Sequence, residues 1–276
     1  MPRPLIITLK EGVDPVYGVQ KALAPVTPVT VENGTLTPGN YRYVLMSEKS
    51  TYTKGVHALR TKCEKENDCR QPLFIQEDGS RIYRPLTFKE NIEARVNNFN
   101  TLYDQNGKER NQHDRLRLFT RRWLYSCTGI ADKKGSTKFK LVPQASELIS
   151  IPNITRLSID YDSIIGIELD RKDAVYNDLL TQSQVERHPA WLAAVDGDAH
   201  LLKAHSEIVF NALQQQNKAM GFYVVQTSFE DQLRALLVGS LGNDSSASGN
   251  NYLSSSGSFL RVAPVGAPEG DAQKII

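Results

Sequence analysis

The sequence predicts an α+β protein in which a largely antiparallel β-sheet region, residues 1–169, packs against a helical segment, residues 170–240. The first part of the chain contains short runs of β-branched and aromatic residues separated by turn signals, which is typical of strands. From Asp170 onward the apolar residues recur at helical spacing instead. Residues 241–276 begin with a Ser-, Gly- and Asn-rich stretch, which predicts a flexible linker and tail containing one short apolar run, "FLRVAPV".

The strands of the first region are predicted from their composition and from the turns between them. The strand candidates, in chain order, are "LIITL", "TPVTV", "YRYVLM", "RIYR", "KFKLV", "ELISI", "ITRLSI" and "SIIGIEL". Turn residues at 32–35 ("ENGT") and 37–40 ("TPGN") favour reversals, because Gly and Asn tolerate positive φ. The prolines in "APVTPVTV" restrict that run to a sheet edge or a surface arm.

One amphipathic helix is predicted inside this region, over residues 87–105. Thr87 and Glu90 have the spacing of a capping box, in which each side chain satisfies a main-chain N–H of the first turn. Apolar residues then follow at steps of three and four: Phe88, Ile92, Val96, Phe99 and Tyr103. Asn106-Gly107 is expected to end the helix.

The helical segment is predicted in pieces. Residues 171–187 and 190–220 have helical periodicity, and the second piece is expected to break near Asp196-Gly197, with Asp198 capping its longer part. "FYVVQTSF" returns to strand. Ser228 then has the spacing of a cap for a further helix over "FEDQLRALLV".

Composition limits the function classes. Lys and Arg number 33 against 31 Asp and Glu, so binding to nucleic acid would need a local basic patch. The sequence contains no P-loop, no Rossmann glycine fingerprint, no nucleophile elbow and no zinc-ligand spacing, so no cofactor, metal site or catalytic residue is assigned. Three cysteines, no signal peptide and no long apolar run predict a cytoplasmic protein without a membrane partner.

The segment "RLRLFTRRWLYSC" is the leading candidate for a binding surface. As a strand it has a leucine-rich face and a second face that alternates guanidinium and aromatic groups. That second face consists of Arg115, Arg117, Phe119, Arg121, Trp123 and Tyr125, followed by Cys127. Lys133 and Lys134, with two further lysines at 138 and 140, predict a basic hairpin beside it. Such a surface suits a protein hot spot, base stacking with phosphate neutralisation, or packing under the protein's own helices.

Carboxylates suggest a second type of site. Asp160 and Asp162 precede Glu168 and Asp170, and alternation along strands would place each pair on one face. Asp160, Asp170 and Lys172 loosely imitate the spacing of metal-dependent nucleases, in which the carboxylates hold Mg²⁺ and a lysine orients water. A turn at Asp160–Ser163 and a helix cap at Asp170 explain the same residues equally simply.

The sequence therefore favours a non-catalytic interaction protein, such as an adaptor, inhibitor or assembly subunit encoded by a virus or mobile element. We expect it to bind a macromolecular partner, a protein before a nucleic acid, through the Arg–aromatic strand. Three alternatives stay open: RNA or single-stranded DNA binding on the same surface, a Mg²⁺-dependent nuclease, and assembly into a homo-oligomer.

Overall fold

The structure is a computed structural model, and it describes most of the chain from residue 41 onward. The described residues are 41–46, 50–65, 69–76, 78–104, 107–120, 123–150, 157–174, 178–214 and 217–264. The predicted strands "LIITL" and "TPVTV" and the turns at 32–40 lie outside them. All described residues belong to one compact unit.

The described elements alternate between helix and strand. The strands are β1 Tyr41–Leu45, β2 Leu73–Ile75, β3 Arg81–Tyr83, β4 Leu124–Asp132, β5 Lys138–Val142, β6 Leu157–Ser158, β7 Ile167–Asp170, β8 Phe222–Tyr223, β9 Gln232–Val238, β10 Ala247–Ser248 and β11 Leu260–Pro264. The helices are α1 Tyr52–Lys65, α2 Phe88–Asn100, α3 Gln112–Thr120, α4 Ser146–Ser150, α5 Gln182–Val185, α6 Pro189–Ala194 and α7 Ala199–Ala212. Two 3₁₀ helices span Arg171–Asp173 and Leu241–Asn243.

The main sheet has the order β7-β5-β4-β9-β10-β8, with β6 also paired to β9. Its pairings are antiparallel except for the parallel contact between β8 and β10. Every residue of β4 and β9 is buried, because both faces of these central strands are covered. The sheet draws strands from both sides of residue 170, so its strands are not confined to the N-terminal region.

Two apolar clusters cover the two faces of the sheet. The larger packs α2, α3, α6 and α7 against residues such as Leu124, Leu236 and Val238. The smaller packs α1 and α4 against Tyr125 and Leu237. The α+β class predicted from the sequence is therefore confirmed. No helix in the described ranges has the length and apolar character that crossing a membrane requires.

Several local predictions are confirmed. The capping box at Thr87 is present, since Thr87 Oγ1 accepts from the Glu90 amide at 3.1 Å and Glu90 accepts from the Thr87 amide at 2.7 Å. Asp198 caps α7 by accepting from the Leu201 amide at 2.9 Å. β4 and β5 form the basic hairpin, and "FLRVAPV" contributes β11, which pairs with β1.

The strand predicted over residues 115–127 is wrong in its first half. Residues 112–120 form α3, which begins where Asn111 Oδ1 accepts from the Asp114 amide at 2.9 Å. Leu116 and Phe119 then share its buried face at a helical step of three. Only residues 124–127 of the segment belong to a strand, β4.

Three other elements also differ from prediction. Residues 229–238 form strand β9 instead of a helix, because burial on both faces removes the alternation that identifies strands. "ELISI" lies in the short helix α4, and α2 ends at Asn100 instead of near residue 105. Within 171–187, the described residues contain only one 3₁₀ turn and the four-residue α5.

The segment predicted to be a flexible linker is packed in the structure. Ser245, Ser246 and Ser248 are at most 2% exposed, and Ala247–Ser248 forms β10. Its small residues allow main chain to approach the sheet closely, since a Cβ on Gly257 would lie 2.5 Å from the Tyr125 ring. The composition rule fails because here the backbone itself is buried.

Candidate binding groove

An open groove lies at the edge of the main sheet where β8, β10 and β9 run side by side. Its volume is about 420 Å³, within the range of small-ligand and side-chain pockets. The lining residues are aromatic, aliphatic or neutral and polar: Trp123, Tyr223, Leu237, Ser248, Asn250, Asn251, Ser255 and Ser256. None of these eight described residues carries a charge at neutral pH.

The strands place the groove floor by register. Ser248 of β10 pairs with Tyr223 of β8 on one side and with Leu237 of β9 on the other. Paired residues on neighbouring strands project to the same face, so these three side chains form one row. Trp123 stands just before β4, where its carbonyl accepts from the Ser258 amide at 2.9 Å.

The wall of the groove is the loop 249–256, which is held mainly through its own backbone. The Gly249 amide donates to the Tyr223 carbonyl at 2.7 Å. The Tyr52 amide donates to the Leu253 carbonyl at 2.9 Å, and the Tyr125 hydroxyl donates to the Ser255 carbonyl at 2.6 Å. Because these bonds involve loop main chain, its Asn and Ser side chains are left to face the groove.

A buried charge network supports the same loop from inside the sheet. Asp132, at the end of β4, is fully buried between Arg171, 2.9 Å from Oδ1, and Arg234, 3.3 Å from Oδ2. Arg234 Nη1 donates to the Asn250 carbonyl at 2.9 Å, and its guanidinium lies 4.6 Å from the centre of the Tyr252 ring. The positive charge of Arg234 is thus held beside the Asp132 carboxylate.

The Arg–aromatic residues of "RLRLFTRRWLYSC" do not share one face. Arg115 and Arg117 are half-buried on α3, and the Arg115 guanidinium lies over the Phe99 ring at 4.3 Å. Phe119 is fully buried, stacked on His205 at 5.4 Å. Arg121 lies outside the described residues.

Trp123 and Tyr125 have separate roles. Tyr125 belongs to the core, stacked on Phe259 at 5.3 Å and 1% exposed. Trp123 is half-buried and lines the groove. Of the described aromatic candidates in this segment, Trp123 is the one that reaches a concave surface.

The basic hairpin is present, but its lysines contact neighbouring groups. Lys133 Nζ lies 2.8 Å from Asp162 Oδ1, and Lys138 Nζ lies 2.6 Å from Glu168 Oε1. Lys140 donates to two carbonyls of the 161–164 turn at 2.8 Å each. Lys134 is exposed, and its amide donates to Asp231 at 2.7 Å.

The carboxylates of the nuclease hypothesis are likewise paired. Asp160–Ser163 forms the expected turn, and Asp170 Oδ2 lies 3.7 Å from Lys172 Nζ. Across the described residues, no three His, Cys, Asp or Glu side chains are grouped so that they could hold a metal ion.

Cys127 is a buried thiol in the middle of β4. Burial raises its pKa to about 12, so the thiol is protonated at neutral pH. Its Sγ donates to the Pro85 carbonyl at 3.2 Å. This environment suits a structural cysteine.

The groove was not predicted from the sequence, although its signal was present. Residues 248–256 are rich in Ser, Asn and Tyr, the residue types that also dominate antibody binding loops. The same letters predict a linker when they are considered as composition alone. Only the packing of the backbone distinguishes the two.

Comparison with known proteins gives a likeness of fold. No protein-family model matches the chain, and no curated protein sequence matches it. A solved structure from Nanoarchaeota, whose published description reads "Accommodation of massive sequence variation in Nanoarchaeota by the C-type lectin fold", is similar with a TM-score of 0.52 and 14% identity. The match covers 83% of this chain and 100% of that one, so the chain is similar in fold to a protein with the C-type lectin fold.

Proposed function

We propose that this protein is a non-catalytic interaction protein, an adaptor, inhibitor or assembly subunit, which holds a macromolecular partner in the groove between Trp123 and Tyr223. The observation that carries the proposal is the construction of the groove. A loop whose backbone is fixed by the scaffold presents neutral polar side chains beside two aromatic ones.

This construction favours binding because little conformational freedom remains to be lost. Rigid aromatic anchors combined with adaptable Ser and Asn groups are the usual content of protein-binding loops. The loop carbonyls of Asn250 and Ser255 are already bound by Arg234 and Tyr125. A preorganised loop reduces the entropic cost of association.

The similar Nanoarchaeota structure adds support of a general kind. Its description attributes the accommodation of massive sequence variation to the C-type lectin fold. In this chain, main-chain anchoring of residues 249–256 would permit the same freedom for the side chains that face the groove. The proposal places partner recognition on those side chains.

Affinity capture from native lysate tests the proposal. The full chain is compared with the double variant Trp123→Ala/Tyr223→Ala and with Phe229→Ala, a control that removes an 88% exposed ring outside the groove lining. We expect the double variant to recover at least about 30-fold less of the partner, since a hot-spot truncation costs 2 kcal/mol or more. The control should recover as much as the wild type.

A nuclease-treated sample accompanies each capture, with circular dichroism to confirm folding of the variants. Capture that is unaffected by nuclease supports a protein partner. Equal recovery by the wild type and the folded double variant would overturn the proposal. Loss of capture on nuclease treatment would favour nucleic acid instead.

A further inference from the structure

The hydrogen-bonding pattern of the groove wall indicates what kind of group it can hold. Ser248 Oγ donates to Asn250 Oδ1 at 2.5 Å, and Asn251 Nδ2 donates to Ser248 Oγ at 3.0 Å. The three side chains therefore form a short chain of hydrogen bonds. Each member fixes the orientation of the next.

This chain leaves one donor and one acceptor group for a ligand. Among the residues that the structure describes, Asn250 Nδ2 and Asn251 Oδ1 have no hydrogen-bond partner. Both side-chain amides bond to the same Ser248 hydroxyl, so the two groups lie close together. A peptide unit presents one N–H and one C=O, which is the complementary set.

The charge of the groove excludes strongly ionic ligands as its preferred occupants. The lining has no charged side chain, and Arg234, which contacts the loop, lies beside the buried Asp132 carboxylate at 3.3 Å. A phosphate or carboxylate would lose its hydration without gaining a counter-charge. An uncharged ligand has no such cost.

The aromatic side of the groove supplies the complementary apolar contact. Trp123 and Tyr223 stand beside Leu237, in a volume of about 420 Å³. One large apolar side chain and the adjoining main chain fit a space of this size. Anchors of this kind dominate the energetics of protein interfaces.

We propose that the groove binds an uncharged loop of a protein partner, inserting one aromatic or leucine side chain between Trp123 and Tyr223 while Asn250 and Asn251 hydrogen-bond a main-chain amide. This inference rests on the proposed function and specifies the partner surface. It predicts recognition that is insensitive to salt and dependent on a single peptide N–H.

The test uses a phage-displayed library of disulfide-constrained peptides, selected in parallel on the full-length wild type, Trp123→Ala/Tyr223→Ala and Phe229→Ala. We expect peptides with no net charge and one aromatic or leucine anchor, recovered on the wild type and the control but not on the double variant. The affinity of a synthesised peptide should change less than about twofold between 50 and 500 mM NaCl. N-methylation of one main-chain amide should weaken binding at least about tenfold, and Asn251→Ala should abolish the effect of that methylation.

Several outcomes would overturn the inference: enrichment of Lys- and Arg-rich or Asp- and Glu-rich peptides, equal recovery on the double variant, or tolerance of N-methylation at every position. The same holds if no groove-dependent peptide is recovered, or if an oligonucleotide or oligosaccharide probe binds the wild type and is lost with the double variant. The native-lysate capture separates the two levels. If the double variant still loses its native partner, only the inference about the loop is overturned, whereas a retained partner removes the proposed function itself.

Discussion

The groove loop 249–256 and the basic hairpin around Lys133 differ in how their side chains are satisfied. In the hairpin, Lys133 and Lys138 each contact a carboxylate, and Lys140 donates to two carbonyls. In the loop the backbone is bound by the scaffold, while the Asn250 and Asn251 amides keep hydrogen-bonding capacity toward the groove. Charge density in a sequence therefore does not identify an available surface, because charges close together on a sheet neutralise one another.

The largest expected effect separates the buried network from the surface pairs. Asp132→Asn removes the carboxylate between Arg171 and Arg234 and leaves two buried guanidinium groups uncompensated. We expect the free energy of unfolding to fall by about 3–5 kcal/mol, measured by chemical denaturation. Asp162→Asn, on the exposed hairpin pair, is the matched control and should leave the denaturation midpoint unchanged. Equal effects of the two changes would contradict the distinction between the regions.

A smaller effect is expected on the motion of the loop. Arg234→Met removes the hydrogen bond to the Asn250 carbonyl and the contact with Tyr252. Amide hydrogen exchange at Gly249 and Ser255 should accelerate at least about tenfold, since a hydrogen bond from a charged group contributes about 1.5–3 kcal/mol. The Ser136 amide in the hairpin turn is the internal reference. Uniform acceleration at all three amides would mean that Arg234 stabilises the whole sheet and not the loop.

The smallest expected effect concerns the titration of the hairpin. Hydrogen bonds from Lys133 hold the pKa of the Asp162 carboxyl below its ordinary value. Its contribution to stability is therefore present above the ordinary pKa, about 3.9, and is lost as the pH falls through the depressed pKa. Lys133→Met should raise the pKa of Asp162 toward that ordinary value, as measured by NMR titration of its carboxyl carbon. Lys134→Met is the control, and an equal rise in that variant would show that general charge and not the pair is responsible.

Predictions from local chemistry succeeded where the chemistry was complete within a few residues. The Thr87 and Asp198 caps, the turn at Asp160–Ser163 and the β4–β5 hairpin each depend on neighbours in sequence. The Asn111 cap of α3 was equally local and was missed, because the leucine and arginine alternation of 115–119 suggested a strand. A cap signal deserved more weight there than side-chain alternation.

Predictions failed where tertiary contacts decide the structure. β9 is buried on both faces, so "QLRALLV" shows no alternation. Helix α1 contains Gly55, which lowers its helical propensity, yet a Cβ there would lie 2.1 Å from the Phe259 ring. The groove joins residues from β8, β9 and the 248–256 segment with Trp123. No spacing rule connects positions so far apart, and Trp123 alone was predicted as a binding residue.

The pairing of β1 with β11 has a practical consequence. These strands are antiparallel, with Tyr41 opposite Pro264 and Leu45 opposite Leu260, so the two outer ends of the described unit leave from adjacent points. Units whose ends meet in this way tolerate circular permutation and insertion into a host loop. Residues 41–264 are thus suited to grafting as a cassette, with the orientation of the groove fixed by a two-stranded stem instead of a flexible tether.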